Sequence, residues 1–466
     1  MAKLTFYGAA RQVTGSMHLL EANGKLIALD CGLFQGRRAE TRELNRRHPC
    51  EPKSIHAVVV SHAHIDHIGR LPLLVRDGFT GVIHSTPATR DLAALMLADS
   101  AHIQEEDASF LNKRRRHQDE PWIEPLYTAA DAVQAVRQIQ SSPYQRWFKV
   151  ASGIHARYFE AGHMLGSAGI EVEITEANGQ KKTLVFSGDV GRWGIPILRD
   201  PAPLPQCDYL ICESTYGARN TDPIADLKSK LAAVVRRTVA RQGRIIIPAF
   251  SVGRTQTIVY YLRQLFTGGE LAALPVYIDS PLAVNATEVF RLHPECYDHD
   301  AREFTTETGS IFGGPSFEFV QSVEESKRIV IRHSPCIVIA ASGMCEAGRI
   351  LHHLRNAVEN ERNTILIVGF QAEHTLGRRI VERNDTIKIY GEHHKLKAEV
   401  VVMNGFSSHA DARELKAYTD PMASRTKKVF LVHGELDQSS VLADTLRAAG
   451  HCEVHIPAMN DSHALD

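Results

Sequence analysis

Apolar and polar positions follow two different patterns along the chain. Up to about residue 208, short apolar runs are broken by Gly-rich turns, a pattern that is typical of β-strands. A helical pattern interrupts these runs over 91–103. The strands predicted in this part of the chain are 3–7, 18–21, 26–29, 57–60, 170–174 and 184–186.

From about residue 209, apolar runs alternate with amphipathic segments. Strands are predicted at 245–247, 276–278, 336–339 and 365–368, followed by helices at 255–266, 283–292, 349–358 and 378–383. This alternation predicts a parallel sheet covered by helices, with ligand sites at the carboxyl ends of its strands. Strand-rich sequence returns near residue 393, at 400–403, 429–432 and 454–456. We therefore expect one domain interrupted by another, with segments 1–208, 209–392 and 393–466.

The composition is that of an ordinary globular chain. Of its 466 residues, 44% are hydrophobic and 23% are charged. The length is enough for two or three domains. A net charge of −1 argues against a protein that coats nucleic acid, although metal ions and a few arginines can supply positive charge locally. The eight cysteines form no CxxC pair, which argues against a zinc ribbon or a disulfide framework. No apolar run approaches the length of a membrane span, so we expect a cytoplasmic protein.

One short segment concentrates metal-binding side chains. His62, His64, Asp66 and His67 follow the apolar run 57–60 directly. A segment that leaves a buried strand is not expected to be helical, so neighbouring side chains should point in different directions. His62 and His64 would then face one metal ion, and Asp66 and His67 a second ion beside it. Such a pair of ions suits displacement at phosphorus. The alternative is a turn that is merely polar.

Three further segments offer residues that could complete such a site. His163 lies in the turn 162–167, Asp189 follows the strand at 184–186, and His433 ends the strand at 429–432. Each residue taken alone could be a capping or turn residue. Together with the His/Asp segment they form a coherent set, because strand ends can aim side chains into one cleft.

The order of these motifs resembles a known family. Asp30, then the HxHxDH segment, His163 and Asp189 resemble the ordered motifs of the metallo-β-lactamase fold. Glu213 in 213–217, His409 in 407–411 and His433 resemble the three extra motifs of its β-CASP branch. That branch includes the cleavage-and-polyadenylation endonuclease, the ribonuclease J group and bacterial relatives that cleave RNA. The resemblance implies an α/β fold: a metallo-β-lactamase αββα sandwich interrupted by a parallel-sheet β-CASP domain.

The resemblance also implies a ligand set for two Zn2+ ions per chain. One ion would be held by His62, His64, His163 and Asp189, and the other by Asp66, His67, His433 and the same Asp189. Asp30 would accept a hydrogen bond from a ligand imidazole and fix its tautomer. The alternative for Asp30 is a turn aspartate before Gly32.

The implied chemistry is hydrolysis of RNA phosphodiester bonds. Two zinc ions make hydroxide available near neutral pH. His409 would protonate the leaving ribose oxygen and Glu213 would orient its ring, so that the catalytic residues are His409, Glu213 and the ligand Asp66. The alternative roles for His409 are a third-shell ligand or a structural turn histidine. Predicted products carry a 5′-phosphate and a 3′-hydroxyl.

The substrate is expected to be RNA, partly because the DNA-processing members of the branch have a non-ligand at the position of His433. The short chain resembles the endonuclease-type members. A 5′-exoribonuclease, a small-molecule metallo-hydrolase acting on a thioester or lactone, a redox di-iron protein and a non-catalytic scaffold are the alternatives. A homodimer is left open, and no membrane contact is expected.

Several residues are predicted to contact the RNA backbone. The pairs Gly253-Arg254, Gly348-Arg349 and Gly377-Arg378 each fall between an apolar strand and the start of its helix, where an anion is favoured. Ser407 and Ser408, beside His409, are included in the same hypothesis. The alternative is turn glycine with surface arginine. The basic run 113–117 is read as a solvated surface segment, with a nucleic-acid contact as the alternative.

Overall fold

The computed structural model describes residues 2–36, 38–115, 122–451 and 453–466. The chain forms two compact units. The first unit comprises Met1–Trp193, Asp200–Asn220 and His409–Asp466, and the second comprises Gly194–Arg199 and Thr221–Ser408. Each unit has its own sheets and its own apolar core, so each is described separately.

The described residues of the first unit form two seven-stranded sheets. The first sheet, in spatial order, contains β22 (Ser462–Leu465), β1 (Ala2–Gly8), β2 (Met17–Ala22), β3 (Lys25–Leu29), β4 (Ile55–Val59), β5 (Val82–Ser85) and β6 (Ile139–Ser141). The second contains β21 (Val454–His455), β20 (Lys428–Val432), β11 (Tyr209–Glu213), β10 (Lys181–Phe186), β9 (Ala168–Thr175), β8 (Ile154–Glu160) and β7 (Phe148–Ala151).

Helices cover the outer faces of these two sheets. The helices of the first unit are α1 (Arg38–Arg46), α2 (Ile65–Ile68), α3 (Leu71–Arg76), α4 (Pro87–Arg115), α5 (Ala129–Arg137), α13 (Ala412–Thr419) and α14 (Leu436–Ala448). One core cluster joins inward-facing residues of both sheets, including Phe6, Ile170 and Phe430. A second cluster packs Leu415 and Leu442 of the helices against the other face of β11 and β20. The layers are therefore helix, sheet, sheet, helix, the αββα arrangement that the resemblance implied.

The central strands of the second sheet are buried along almost their whole length and are apolar except for Glu213 at the end of β11 and Lys428 at the start of β20. All five residues of β11 are buried, as are the last four of β20. Strands that pair in parallel in the interior are covered on both faces, which explains an unbroken apolar run in place of alternation. β11 pairs in parallel with β10 and β20, so the segments that follow these three strands lie at the same edge of the sheet.

The second unit contains a parallel sheet. Its strands, in spatial order, are β14 (Phe317–Phe319), β13 (Val276–Ile278), β15 (Ile337–Ala340), β12 (Ile245–Pro248), β16 (Thr364–Ile367) and β19 (Glu399–Val402), and β17 (Thr386–Ile389) pairs with β18 (Glu392–Lys395) as a hairpin. Its helices are α6 (Leu227–Ala240), α7 (Arg254–Thr267), α8 (Pro281–Leu292), α9 (His299–Thr308), α10 (Val323–Val330), α11 (Ile350–Ala357) and α12 (Leu376–Val381). The strand–helix alternation predicted from residue 209 onward corresponds to this sheet.

The divisions between the units differ from the predicted boundaries after residues 208 and 392. β11 begins at Tyr209 but belongs to the first unit, because it completes the sheet between β10 and β20. β19, predicted as part of the return segment, lies in the second unit because it pairs in parallel with β16. Apolar runs alone do not say which sheet a strand joins.

The longest helix of the first unit extends beyond its predicted range. The pattern indicated 91–103, whereas α4 runs from Pro87 to Arg115. The basic run 113–117 therefore starts inside α4, and residues 116 and 117 lie outside the described part of the chain. Even with α4 included, none of the described helices combines the length and the apolar character that crossing a bilayer would require.

A buried carboxylate ties three elements of the second unit together. Asp279 follows β13 and is fully buried. Its Oδ1 accepts a hydrogen bond from Arg349 at 2.7 Å, and its Oδ2 accepts hydrogen bonds from His353 and from Ser326, each at 2.6 Å. Buried charges are tolerated only when they are paired and hydrogen-bonded, as here.

We expect Asp279→Asn to lower the free energy of unfolding of the second unit by about 2–3 kcal/mol, because Arg349 loses its buried carboxylate and keeps only the carbonyl oxygens of Val320 and Gln321. Ser326→Ala, which removes one hydrogen bond and keeps the charge, should cost about 1 kcal/mol. Urea denaturation of the intact chain measures both changes. Equal, small losses in the two variants would show that the buried charge contributes little.

Candidate metal centre

The His/Asp segment leaves the end of β4 in two parts. Residues up to His64 are extended, and α2 begins at Ile65, with the N–H groups of His67 and Ile68 donating to the carbonyl of His64 at 2.9 and 3.0 Å. The prediction that this segment is not helical is therefore wrong for Asp66 and His67. A single helical turn is possible because His64 provides an extended N-cap and Gly69 ends the turn.

The seven residues predicted as ligands lie in two groups. In each group, one nitrogen or oxygen from every member lies within 4.8 Å of the others. The first group is His62, His64, His163 and Asp189, and the second is Asp66, His67 and His433.

Distances inside the groups match those of metal ligands. His64 Nδ1 lies 3.1 Å from His62 Nε2 and 3.2 Å from His163 Nε2. His67 Nε2 lies 3.2 Å from His433 Nε2. Two nitrogens about 2.0–2.1 Å from a tetrahedral ion lie about 3.3 Å apart, close to the spacing observed.

Asp189 faces both groups. Its Oδ2 lies 3.4 Å from His62 Nε2, whereas its Oδ1 lies 3.4 Å from His67 Nε2 and 3.4 Å from His433 Nδ1. Asp189 is buried, and its Oδ1 has no hydrogen-bond partner among the described residues. A buried carboxylate oxygen without a donor is costly unless a cation binds it.

The electrostatics of the first group favour cation binding. Burial lowers the pKa of His62 to about 3 and that of His64 to about 4, and it lowers the pKa of His163 as well. These imidazoles are therefore neutral near pH 7 and each has a lone pair to offer. Burial opposes ionisation of Asp189, but His433, His67 and His62 outweigh it and hold its pKa well below the ordinary value. Neutral imidazoles around an ionised carboxylate are a suitable donor set for a divalent cation.

Asp30 fixes the orientation of His67. It follows β3, and its Oδ2 lies 2.6 Å from His67 Nδ1, while Ser61 donates to both of its oxygens. Burial lowers the pKa of His67, but Asp189 and Asp30 outweigh this effect and raise it well above the ordinary value. The carboxylate on Nδ1 leaves Nε2 directed at His433, the arrangement by which proteins orient a ligand imidazole.

A close backbone approach brings Asp30 to the metal-binding segment. Gly32 N–H donates to Ser16 O, and Ser16 N–H donates to Asp66 O at 2.8 Å. A Cβ at Gly32 would lie 1.5 Å from Asp66 O, so only glycine allows the two segments to pack this closely.

A third cluster lies beside Asp189. His409 Nδ1 lies 3.2 Å from Glu213 Oε1, and the His409 ring lies 4.4 Å from that of His163. Burial lowers the pKa of His409, but the carboxylates of Glu213, Asp189 and Asp66 outweigh it and raise the pKa above its ordinary value. Glu213 also accepts a hydrogen bond from Val190 N–H at 2.6 Å. It therefore holds both His409 and the backbone next to Asp189.

The sequence argument missed three hydroxyl groups that support this centre. Thr215 Oγ1 lies 3.0 Å from His433 Nδ1, Ser61 Oγ lies 3.0 Å from His62 Nδ1, and Ser167 Oγ accepts from His163 N–H at 3.0 Å. Serine and threonine are common in turns, so their type gave no signal. The available hint was position: Ser61 precedes His62, Ser167 lies in the turn 162–167 and Thr215 lies in the segment 213–217.

The residues predicted to contact RNA have other partners in the second unit. Arg254 donates to Phe406 O at 3.1 Å, and Arg349 donates to Asp279, Val320 O and Gln321 O. The placement predicted for Gly377-Arg378 is wrong, because α12 already begins at Leu376 and Arg378 lies within it, paired with Glu382 at its C-cap. The N–H at 378 is used by the N-cap Thr375.

The two serines beside His409 differ in their surroundings. Ser407 is buried, and its hydroxyl has no hydrogen-bond partner within the described ranges, whereas Ser408 is partly exposed. The RNA contacts expected for these serines and for the three arginines stay predictions.

Family models match three parts of the chain. The metallo-beta-lactamase superfamily model matches residues 10–137, the Beta-Casp domain model residues 255–380, and the model of the Zn-dependent metallo-hydrolase RNA specificity domain residues 393–457. Together with the two ligand groups, these matches indicate a site for divalent metal ions.

Similar proteins extend the match to almost the whole chain. Ribonuclease TTHA0252 of Thermus thermophilus is 33% identical over 448 residues, covering 95% of this chain and 96% of that protein. Transcription termination factor FttA of Methanosarcina mazei is 31% identical, covering 93% of this chain and 67% of that protein. A solved structure described as a protein of unknown function from Enterococcus faecalis V583 is 13% identical, with a TM-score of 0.55 over 100% of both chains, and shows the fold alone. The chain therefore belongs to the β-CASP family of the metallo-β-lactamase superfamily, a family of metal-dependent hydrolases.

Proposed function

We propose that this protein is a zinc-dependent endoribonuclease that uses two ions per chain. The observation that carries the proposal is Asp189, whose two oxygens face the two ligand groups while the Glu213–His409 pair lies beside it. The ribonuclease of Thermus thermophilus, similar over nearly its full length, supports RNA as the substrate.

In this proposal each ligand residue is assigned to one of two ions, and Asp189 is assigned to both. His62, His64 and His163 would hold one ion, and Asp66, His67 and His433 the other, with Asp189 shared between them. When bound, the two ions supply hydroxide near neutral pH and neutralise charge on the phosphate oxygens. Asp30, bonded to Nδ1 of His67, would keep that ring in the tautomer whose Nε2 has the lone pair for an ion.

His409 provides the proton in the same scheme. Glu213 binds Nδ1 of the ring, so Nε2 is the atom that remains for the leaving ribose oxygen. The raised pKa of His409 keeps the ring protonated over a wider pH range, as a general acid requires. Breaking the P–O3′ bond in this way leaves a 3′-hydroxyl on one product and a 5′-phosphate on the other.

Circular RNA provides the sharpest test, because it has no ends for an exonuclease. We expect the protein to linearise it, to lose this activity after chelation and to regain it with Zn2+. Mass spectrometry of the products should find 5′-phosphate and 3′-hydroxyl ends. Degradation of linear RNA only, to mononucleotides and starting from a labelled 5′ end, would identify a 5′-exoribonuclease instead. Hydrolysis of a thioester or lactone with no cleavage of RNA would refute the proposal.

The cytoplasmic location and the homodimer stay predictions.

A further inference from the structure

Thr215 makes two contacts with a single residue of the second ligand group. Its Oγ1 lies 2.8 Å from the carbonyl oxygen of His433 and 3.0 Å from His433 Nδ1. A hydroxyl has one hydrogen to donate, and a carbonyl oxygen can only accept. The hydroxyl therefore donates to the carbonyl, and Nδ1 must carry the hydrogen that Oγ1 accepts.

This hydrogen bond determines which nitrogen of His433 is free to bind an ion. With Nδ1 protonated, the lone pair of the neutral ring lies on Nε2. Nε2 lies 3.2 Å from His67 Nε2 and 3.4 Å from Asp66 Oδ2, inside the second group.

Without Thr215 neither tautomer of His433 would be favoured. Both ring nitrogens of His433 lie near a carboxylate, Nε2 near Asp66 Oδ2 and Nδ1 near Asp189 Oδ1, each at 3.4 Å. Asp66 would stabilise hydrogen on Nε2, and that hydrogen would block the lone pair needed by an ion. The Thr215 hydroxyl is thus the contact that separates two otherwise comparable states.

The backbone contact holds the ring in place. His433 has a φ of 51°, a left-handed conformation that a non-glycine residue rarely adopts. Its N–H donates to Ala9 O at 2.7 Å and its carbonyl accepts from Thr215, so the peptide groups on both sides of His433 are hydrogen-bonded.

We propose that Thr215 is a positioning residue that selects the metal-binding tautomer of His433 and thereby sets the affinity of the second ligand group. This inference rests on the proposed two-ion function and names a residue that the ligand set does not include. It predicts an effect on one ion and not on the other, since the hydrogen bonds of Thr215 in the described structure run to His433 and Glu213 and to none of His62, His64 and His163.

The chain offers a matched control next to Thr215. Ser214 Oγ donates to Val432 O at 2.8 Å and lies 2.7 Å from Ser439 Oγ, so it joins the same two segments without touching the imidazole. Thr215→Val removes the hydroxyl at nearly constant shape, and Thr215→Ser retains it.

The experiment titrates metal-free protein with Zn2+ by calorimetry and by competition with a chelator. We expect Thr215→Val to lower the affinity for one of the two ions about 10–100-fold and to leave the affinity for the other unchanged. Thr215→Ser and Ser214→Ala should both bind two ions within about threefold of the wild-type affinities. If Thr215→Val bound both ions with the wild-type affinities, or if Ser214→Ala showed the same loss as Thr215→Val, the proposal would be overturned.

Nitrogen-15 NMR of the histidines in metal-free protein tests the tautomer directly. His433 should carry its hydrogen on Nδ1 in the wild type and lose that preference in Thr215→Val. An unchanged His433 tautomer would refute the role of Thr215. If the wild type bound fewer than two ions, the proposed two-ion function would fail, and the tautomer measurement would still decide the role of Thr215.

Discussion

Replacing Asp189 with alanine should abolish RNA cleavage and release both ions. Its Oδ2 faces His62 and His163, and its Oδ1 faces the other group, so a single substitution removes a ligand from each. The remaining imidazoles would also lose the buried carboxylate that attracts a cation. We expect a fall of about 10⁴-fold or more in kcat/KM, which corresponds to about 5–6 kcal/mol of transition-state stabilisation. RNA cleavage and zinc content should be measured on the same samples.

Asp208→Ala is the matched control for this prediction. Asp208 accepts hydrogen bonds from Thr183 near the start of β10, at the end of the strand opposite Asp189. It should therefore keep both ions and most of the activity, with a loss of stability of about 1–2 kcal/mol from two lost hydrogen bonds. Two ions retained in Asp189→Ala, or full activity without them, would contradict the assignment of Asp189.

Replacing His409 with alanine should lower the rate of RNA cleavage about 10²–10⁴-fold while both ions stay bound. The reason is that a positioned general acid contributes a factor of this size when the leaving group is a poor one. A phosphodiester with a nitrophenolate leaving group needs little protonation, so its hydrolysis should fall less than about tenfold. The two substrates and the zinc content should be compared for wild type and variant.

The surface residue His56 offers a control for the loss of a histidine. It lies exposed in β4 of the same unit, and His56→Ala should change neither substrate's rate. Equal losses on RNA and on the activated diester in His409→Ala would show that His409 is not the proton donor. Loss of an ion in that variant would assign it to the ligand set.

Glu213 should behave differently from His409. It accepts the Val190 N–H as well as His409 Nδ1, so removing it disturbs the backbone beside a shared ligand. Glu213→Ala is therefore expected to weaken metal binding, whereas Glu213→Gln retains an oxygen acceptor for Val190 and should affect the proton transfer only. Metal content separates the two variants.

Much of the fold could be predicted from the apolar pattern. Every predicted strand up to residue 186 overlaps an observed strand, because even three to five alternating or continuous apolar residues give a local strand signal. The membership of β11 and β19 could not be predicted, since pairing partners far along the chain decide it. The single turn of α2 was missed because four residues are too few for a helical period.

The sequence by itself determined which side chains can carry the metal chemistry. His62, His64, Asp66 and His67 lie within six positions, so any fold that places this segment at a strand end brings them together. Only the tertiary structure decided how the set is completed. The parallel pairing of β10, β11 and β20 brings Asp189, Thr215 and His433 to one sheet edge, although the last two are 218 residues apart. Hydrogen bonds such as Thr215–His433 depend on that register, and no local pattern in the chain encodes it.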